Sequence, residues 1–468
     1  MHIHRHLMKI LLTFLLTVSP AFAVEQADVV VVAATPGGVS AAVAAARSGA
    51  SVILLEEKSH VGGVVSAGLT NTDIYIKAAV GGLFAEFVKR VRERYVTTYG
   101  ENSEQVKVCQ GGHMFEAKVA EKVFRNMLAG ERNIRLIERQ RVISARVVGA
   151  DGIEREADDG IQAFCFRMHV TKDLANAVPI EKPAAFNRDD YRVMLDDMRS
   201  GKVTKLTKLI HVFPMPNGKF ELNNAHPAGD TGVPSESFDL AEENWKWPEA
   251  DVTERERTFH RYWSHAEGYL WLLQNDPEVP QGIRDEARQF GFPKDEFIDN
   301  RHRPHHIYVR EGRRIWGEYS FTERDAALDN ATGLPRRKPD GIAVAEFGFD
   351  SHGVHKYDPA HPGVREGYIF IEHQPLQLPY RIPVPKCVDG LLVPVACSAS
   401  HVGYQTIRME PVFMALGEAC GIAAKTAVDA KTELHNVNVL AVQKDILKRG
   451  GVILYEAQPM RPEGLLAQ

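Results

Sequence analysis

The chain reads as an α/β protein. Its main unit is a Rossmann-like dinucleotide-binding domain, discontinuous in sequence, with an α+β domain inserted into it. Three observations predict this. Residues 28–63 run strand, glycine turn, small-residue helix, strand, acid. From Ile161 to about Asp358 the text changes to aromatic segments rich in His, Arg, Asp and Pro. After Tyr368, strand-like and alanine-glycine-rich text resumes.

Val29 to Val32 is an unbroken β-branched run, as expected of a parallel strand covered on both faces. Pro36, Gly37 and Gly38 force a turn, and Val39 to Arg47 is almost all small residues, so a helix there packs close to the sheet. Gly49 ends that helix, because glycine accepts the left-handed cap conformation. Val52 to Leu55 forms the second strand, with Glu56 at its end to accept hydrogen bonds from a ribose. The amides at the helix start face a pyrophosphate and are aided by the helix dipole. Aligned to G-x-G-x-x-G, the three positions fall on Ala33, Thr35 and Gly38. Ala33 suits the turn if its φ is negative; the Thr35 hydroxyl can donate to a phosphate. Lys58, Gly62 and Gly63 lie just past the second strand, where a loop passes close to the pyrophosphate.

Further on, Phe115 to Ala129 has helical periodicity, with Phe115, Val119, Val123 and Met127 on one stripe. Asn133 to Leu136 and Arg141 to Val148 read as strands. Helices are expected near 186–200, 252–274 and 280–290, a buried strand at Leu391 to Val395, a helix from Pro411 to Val428 and another near Asn438 to Lys448. The domain reading is 24–150 and 365–430 for the cofactor domain, 161–360 for the substrate domain, and 431–468 for a C-terminal helix and tail.

At 468 residues the chain exceeds what one core usually serves. Its 56 basic and 61 acidic residues are mixed, for a net charge of −5, so no basic stripe points to nucleic acid. His2, His4, Arg5 and Lys9, the apolar run Ile10 to Val18, and Ala21-Phe22-Ala23 make residues 1–23 a secretory signal, cleaved after Ala23. A secreted or periplasmic protein follows, with no membrane association after cleavage; the sequence leaves the oligomeric state open. Cys109, Cys165, Cys387, Cys397 and Cys420 are scattered, so neither a zinc site nor a dithiol pair is indicated; one disulfide is compatible with the count.

The chain resembles the FAD-dependent oxidoreductases of the glutathione-reductase-like superfamily, in their secreted bacterial branch. The resemblance rests on TPGGVSAAVAAA from Thr35, FEAKVAEKVFRNML from Phe115, LLVPVACSASHVGYQTI from Leu391 and RMEPVFMALGEACGIAA from Arg408. It implies a Rossmann-like FAD-binding domain and FAD as cofactor. It also implies that Ser400, His401, Arg408, Met409 and Glu410 lie near the flavin, with the helix after Met409 pointing its N-terminus at it. Relatives carry a further strand after their RVVG-type strand, whereas Val148 here runs through GADGIEREADDG into IQAFCFRMHVT. A strand that closes the flavin side of the sheet is therefore expected to be absent.

His401 is either the base that removes a hydroxyl or amine proton or a structural hydrogen-bonder in a tight loop. Arg408 and Glu410 either serve the flavin site or pair with each other. The middle segment adds His260, Arg261 and His265 on one helix face, Arg310, Arg313 and Arg314 after a strand, and Asp350, Ser351, His352 and His355 in one loop. His302, His305 and His306 look like metal ligands but fit a solvated loop better, so no metal is expected. Trp245, Trp247, Trp263 and Trp271 are either a sugar-stacking platform or core.

The leading expectation is hydride transfer from an alcohol or amine carbon, such as a small-molecule or carbohydrate substrate, to flavin N5. No second G-x-G-x-x-G-like unit is present, so no nicotinamide domain is expected. The alternatives are a carbohydrate lyase or isomerase with non-redox flavin, and a binding protein on a decayed flavoprotein scaffold.

Overall fold

The computed structural model describes residues 25–142, 159–225, 237–356 and 366–456. The expected signal sequence lies outside these residues, as does almost all of the 141–148 strand and the junction after Val148.

The chain opens with β1 (Val29–Val32), α1 (Pro36–Arg47) and β2 (Val52–Glu56), then α2 (Gly82–Tyr99), α3 (Glu104–Val108), α4 (Ala117–Ala129) and β3 (Ile134–Glu138). β1, β2 and β3 form a parallel sheet in that order, with Val29 opposite Val52 and Val52 opposite Ile134. Next come β4 (Met168–Thr171), β5 (Ala177–Val178), α5 (Arg192–Arg199), β6 (Ile210–Met215), β7 (Lys219–Asn224), α6 (Val252–Asn275), α7 (Gln281–Ala287) and β8 (Phe292–Pro293). The chain continues with β9 (Gly341–Ala345), β10 (Phe349–Ser351), β11 (Ile369–Ile371) and β12 (Leu376–Pro379), and closes with α8 (His401–Ile407), α9 (Glu410–Ala430) and α10 (Val439–Lys448).

Small residues explain how the two ends of the chain meet. A Cβ on Gly417 would sit 2.1 Å from the Gly37 carbonyl oxygen, and one on Gly421 would sit 2.3 Å from that of Ala41. α9 can therefore lie backbone-close against α1 only because both faces are glycine and alanine. α9 is long and apolar enough to cross a membrane, but it is mostly buried within the protein and serves as a core helix.

There are two hydrophobic cores. One gathers residues from α1, β2, α2 and α4 with β9, β12, α8, α9 and α10. The other is built almost wholly from residues 161–308, around Phe164, Phe166, Tyr262, Trp263 and Tyr269. Lys219 of β7 pins the second to the first. It is fully buried, and its Nζ lies 2.6 Å from Glu116 at the start of α4, 2.6 Å from Asp295 and 2.7 Å from Glu296. Burial acts to lower its pKa, but the carboxylates outweigh that and hold the ammonium charged.

Two strand expectations are corrected. β1 is not covered on both faces: Val30 is 55% and Val32 60% exposed, because β1 is the outer strand of the described sheet and no described element covers that side. Leu391 to Val395 makes no ladder. Pro394 interrupts its row of donors, and the Val393 amide donates instead to the Pro383 carbonyl.

Candidate functional site

The turn between β1 and α1 is built locally. Thr35 caps α1, its hydroxyl accepting from the Gly38 amide at 3.2 Å, and Pro36 occupies the first turn, where a missing N–H costs nothing. Gly38 is required here, since a Cβ would stand 2.0 Å from the Ala33 carbonyl oxygen. Ala33 departs from expectation. Its φ is +72°, in the left-handed region that glycine would occupy freely, so the turn keeps the glycine shape at a cost of about 1 kcal/mol. Glu56 is buried and braces the turn from below, accepting from the Ala34 amide at 2.8 Å and the Lys58 amide at 2.9 Å. Gly62 donates to the Ala34 carbonyl at 2.7 Å, and Gly62 and Gly63 have φ of +107° and +53°. Lys58 turns away from the turn, its Nζ donating to the His305 carbonyl at 2.6 Å.

Gly37 is buried, and its amide has no hydrogen-bond partner among the described residues. An open N–H in the first turn of a twelve-residue helix, at the positive end of its dipole, fits the pyrophosphate of a dinucleotide. The Gly37 amide, the Glu56 carboxylate and the Gly62–Gly63 backbone are thus compatible with the adenosine end of FAD.

A second polar cluster is assembled from distant segments around the last residues of β10. Three consecutive side chains, Asp350, Ser351 and His352, each meet a different partner. Asp350 Oδ2 accepts from Arg408 Nη2 at 2.8 Å; Ser351 Oγ lies 3.0 Å from His401 Nε2; His352 Nδ1 lies 2.6 Å from Asp239 Oδ2. Arg408 also donates to the Tyr308 hydroxyl at 3.1 Å and the Gln405 side-chain Oε1 at 3.0 Å. His401 Nδ1 lies 2.9 Å from Glu311 Oε2. Arg310 pairs with Asp239 at 2.8 Å. Gln162 ties these together: its amide donates to Glu311 at 2.8 Å, its Oε1 accepts from the His352 amide at 3.1 Å, and its Nε2 donates to Gln405 at 2.8 Å.

Burial sets the charges. It pushes the His352 imidazole down to about 4, with Arg310 adding to the effect, so the ring is neutral near pH 7. Burial would raise the Glu311 carboxyl, but the hydrogen bond and charge of His401 outweigh it and hold it below the usual range. Glu410, the first residue of α9, is pushed up to about 8 by burial and then by the charge of Asp73. It does not pair with Arg408, whose partner is Asp350. Met409 is buried as the N-cap of α9, and Ser400 caps α8 by accepting from the Gly403 amide at 3.0 Å.

Other candidates fall elsewhere. Arg261 bonds Asp190 at 2.9 Å, and His265 is buried beside the same carboxylate, while His260 faces solvent. His305 stacks on His60 at 4.2 Å, and His302 bonds the Glu296 carbonyl, so the three histidines do not converge. Among the described residues, Glu116, Asp295 and Glu296 are the group close enough to share an ion, and Lys219 occupies their centre. Trp263 is core, and Trp245, Trp247 and Trp271 pack against that core. All five cysteines are free.

Sequence reasoning missed Glu311, Gln162, Gln405, Tyr308 and Asp239. Gln162 alone carried a signal, as a lone polar residue inside the apolar run from Ile161 to Phe166. Glu311 stands in a run of charges, between Arg310 and Arg313, that looks like a solvated face.

A parallel sheet, a capped small-residue helix and an acid at the second strand end define a dinucleotide-binding α/β protein. Residues 28–156 and 145–446 match the FAD dependent oxidoreductase family. The chain belongs to that family, and it is an FAD-dependent oxidoreductase. The two matched pieces share residues 145–156. A comparison with curated proteins finds no match. Among solved structures, this chain is similar to BexE, whose study concerns oxidation during BE-7585A biosynthesis. The two are 16% identical over 45% of this chain and 46% of that one, with a TM-score of 0.23, and a likeness at that level carries no argument.

Proposed function

We propose that the protein is a secreted oxidoreductase that removes hydride from a carbon bearing a hydroxyl or amine, with a sugar-derived alcohol as the substrate class. When bound, FAD supplies a two-electron acceptor at its flavin N5. The residues that would hold it are Thr35 to Gly38, Glu56, Gly62 and Gly63 at the adenosine end and Ser400 and Met409 at the flavin end. His401 takes the hydroxyl or amine proton as the C–H bond breaks, and oxygen or another acceptor reoxidises the enzyme. The observation that carries this reading is the convergence of the 400–410 block on Asp350, Ser351 and His352, which brings a histidine, a buried guanidinium and two His–carboxylate pairs into one network. The residues that enclose this network from the second core, 161–308, form the substrate side. The N-terminal apolar stretch supports export.

The test is an absorbance spectrum of the purified chain before and after added FAD, followed by anaerobic mixing with a panel of sugars, polyols and amines. Flavin bleaching by at least one panel member is expected. Failure to take up FAD, or no bleaching by any member, would overturn the proposal. Glu56→Ala is expected to weaken FAD binding about 10- to 100-fold, as loss of charge-assisted hydrogen bonds would.

A further inference from the structure

We propose that Glu311 is the positioning residue for His401, fixing the imidazole with its proton on Nδ1 so that Nε2 is the proton acceptor. This rests on the base role proposed above for His401. Three segments far apart in the chain place an acid, an imidazole and a hydroxyl in line: Glu311 Oε2 at 2.9 Å from Nδ1, and Ser351 Oγ at 3.0 Å from Nε2. A carboxylate only accepts, so the nitrogen facing it carries the hydrogen. Nε2 then holds the lone pair, and the Ser351 hydroxyl donates to it.

Glu311 is itself held. It is 3% exposed; the Gln162 amide donates to its Oε1 at 2.8 Å and Arg314 Nη1 to its Oε2 at 3.2 Å. The carboxylate cannot swing away from the ring, and its charge stabilises the imidazolium formed when Nε2 gains a proton. Ser351 is fully buried, so the trio does not present a serine nucleophile. Its hydroxyl has a second acceptor in the His352 carbonyl at 3.4 Å, and turning to it releases the Nε2 lone pair before the substrate's proton arrives. One proton passes from the substrate hydroxyl or amine to Nε2 and leaves later to solvent, while the hydride goes to the flavin of the family's cofactor.

Glu311→Gln tests this without loss of shape. The Gln162 amide keeps the carbonyl oxygen of the new side chain at the Oε1 position, so its NH2 faces the ring, and Arg314 Nη1 gives up its bond at that position for the Gly312 carbonyl, which it already reaches at 3.4 Å. Nδ1 must then accept, and the hydrogen moves to Nε2. In the FAD-loaded chain with 15N-labelled histidine, at a pH where the ring is neutral, His401 is expected to show a protonated Nδ1 in the wild type and in Ser351→Ala. In Glu311→Gln a protonated Nε2 is expected. Flavin reduction by the best panel substrate should slow about a hundredfold or more, with little change in substrate affinity. A Glu311→Gln protein that keeps the Nδ1–H form, or that reduces flavin at the wild-type rate, overturns the positioning role. His401→Gln separates this from the parent reading: if it reduces flavin normally, His401 is not the base at all.

Discussion

The turn after β1 and the Asp350–His352 network, proposed above as the two halves of one site, are built in opposite ways. The turn spans residues 33–38 and is closed by neighbours in sequence: Thr35 caps its own helix, and Glu56 reaches back from the next strand. The network draws its groups from residues 162, 239, 308–311, 350–352 and 401–410. A local unit tolerates strain at one position, as Ala33 shows. A network of buried charges depends on every member, because each one removed leaves others in a medium that cannot solvate them.

The largest effect should come from Arg408→Met. It removes a guanidinium that is 3% exposed and shared by Asp350, Tyr308 and Gln405. Denaturant unfolding is expected to show a loss of about 3–5 kcal/mol. A loss below 1 kcal/mol would mean that the network is looser than its hydrogen bonds imply.

Glu410→Gln probes the same half through pH. A carboxyl raised to about 8 from its ordinary value contributes stability that is fully present below the ordinary carboxyl range and lost as pH rises through 8. The wild type should therefore lose on the order of a few kcal/mol between pH 5 and pH 9 at this one group. The variant should match it near pH 5 and exceed it at pH 9. Parallel stability profiles for the two proteins would show that Glu410 is solvated.

The smallest effect is expected in the turn. Ala33→Gly relieves the left-handed strain and adds backbone entropy to the unfolded chain, for a net stabilisation of about 0.5 kcal/mol. FAD affinity should hold or rise. A destabilised variant would show that the Ala33 methyl packs usefully enough to offset its φ.

Much of the first half was legible in the sequence. β1, α1, β2 and α4 fall where β-branched runs, small residues and the stripe from Phe115 to Met127 place them. α6 runs Val252–Asn275 against an expected 252–274. Covering was not legible: the run Val29 to Val32 has the composition of a doubly buried strand, yet half of it faces outward. Nor was Leu391 to Val395, which has strand composition but no ladder partner. In the second half, His401, Arg408, Asp350, Ser351 and His352 were visible as residue types, while their pairing was not.

By itself the sequence determined the glycine turn after β1 and the helices and strands next to it, because sterics and hydrogen bonds within about 30 residues decide them. Only the tertiary structure decided that Arg408 meets Asp350 rather than Glu410, that Glu311 faces His401, and that Lys219 fills a cluster of three acids. Those choices belong to charges excluded from water, which must find whichever opposite group the packing of α9 on α1 and of one core on the other brings within reach.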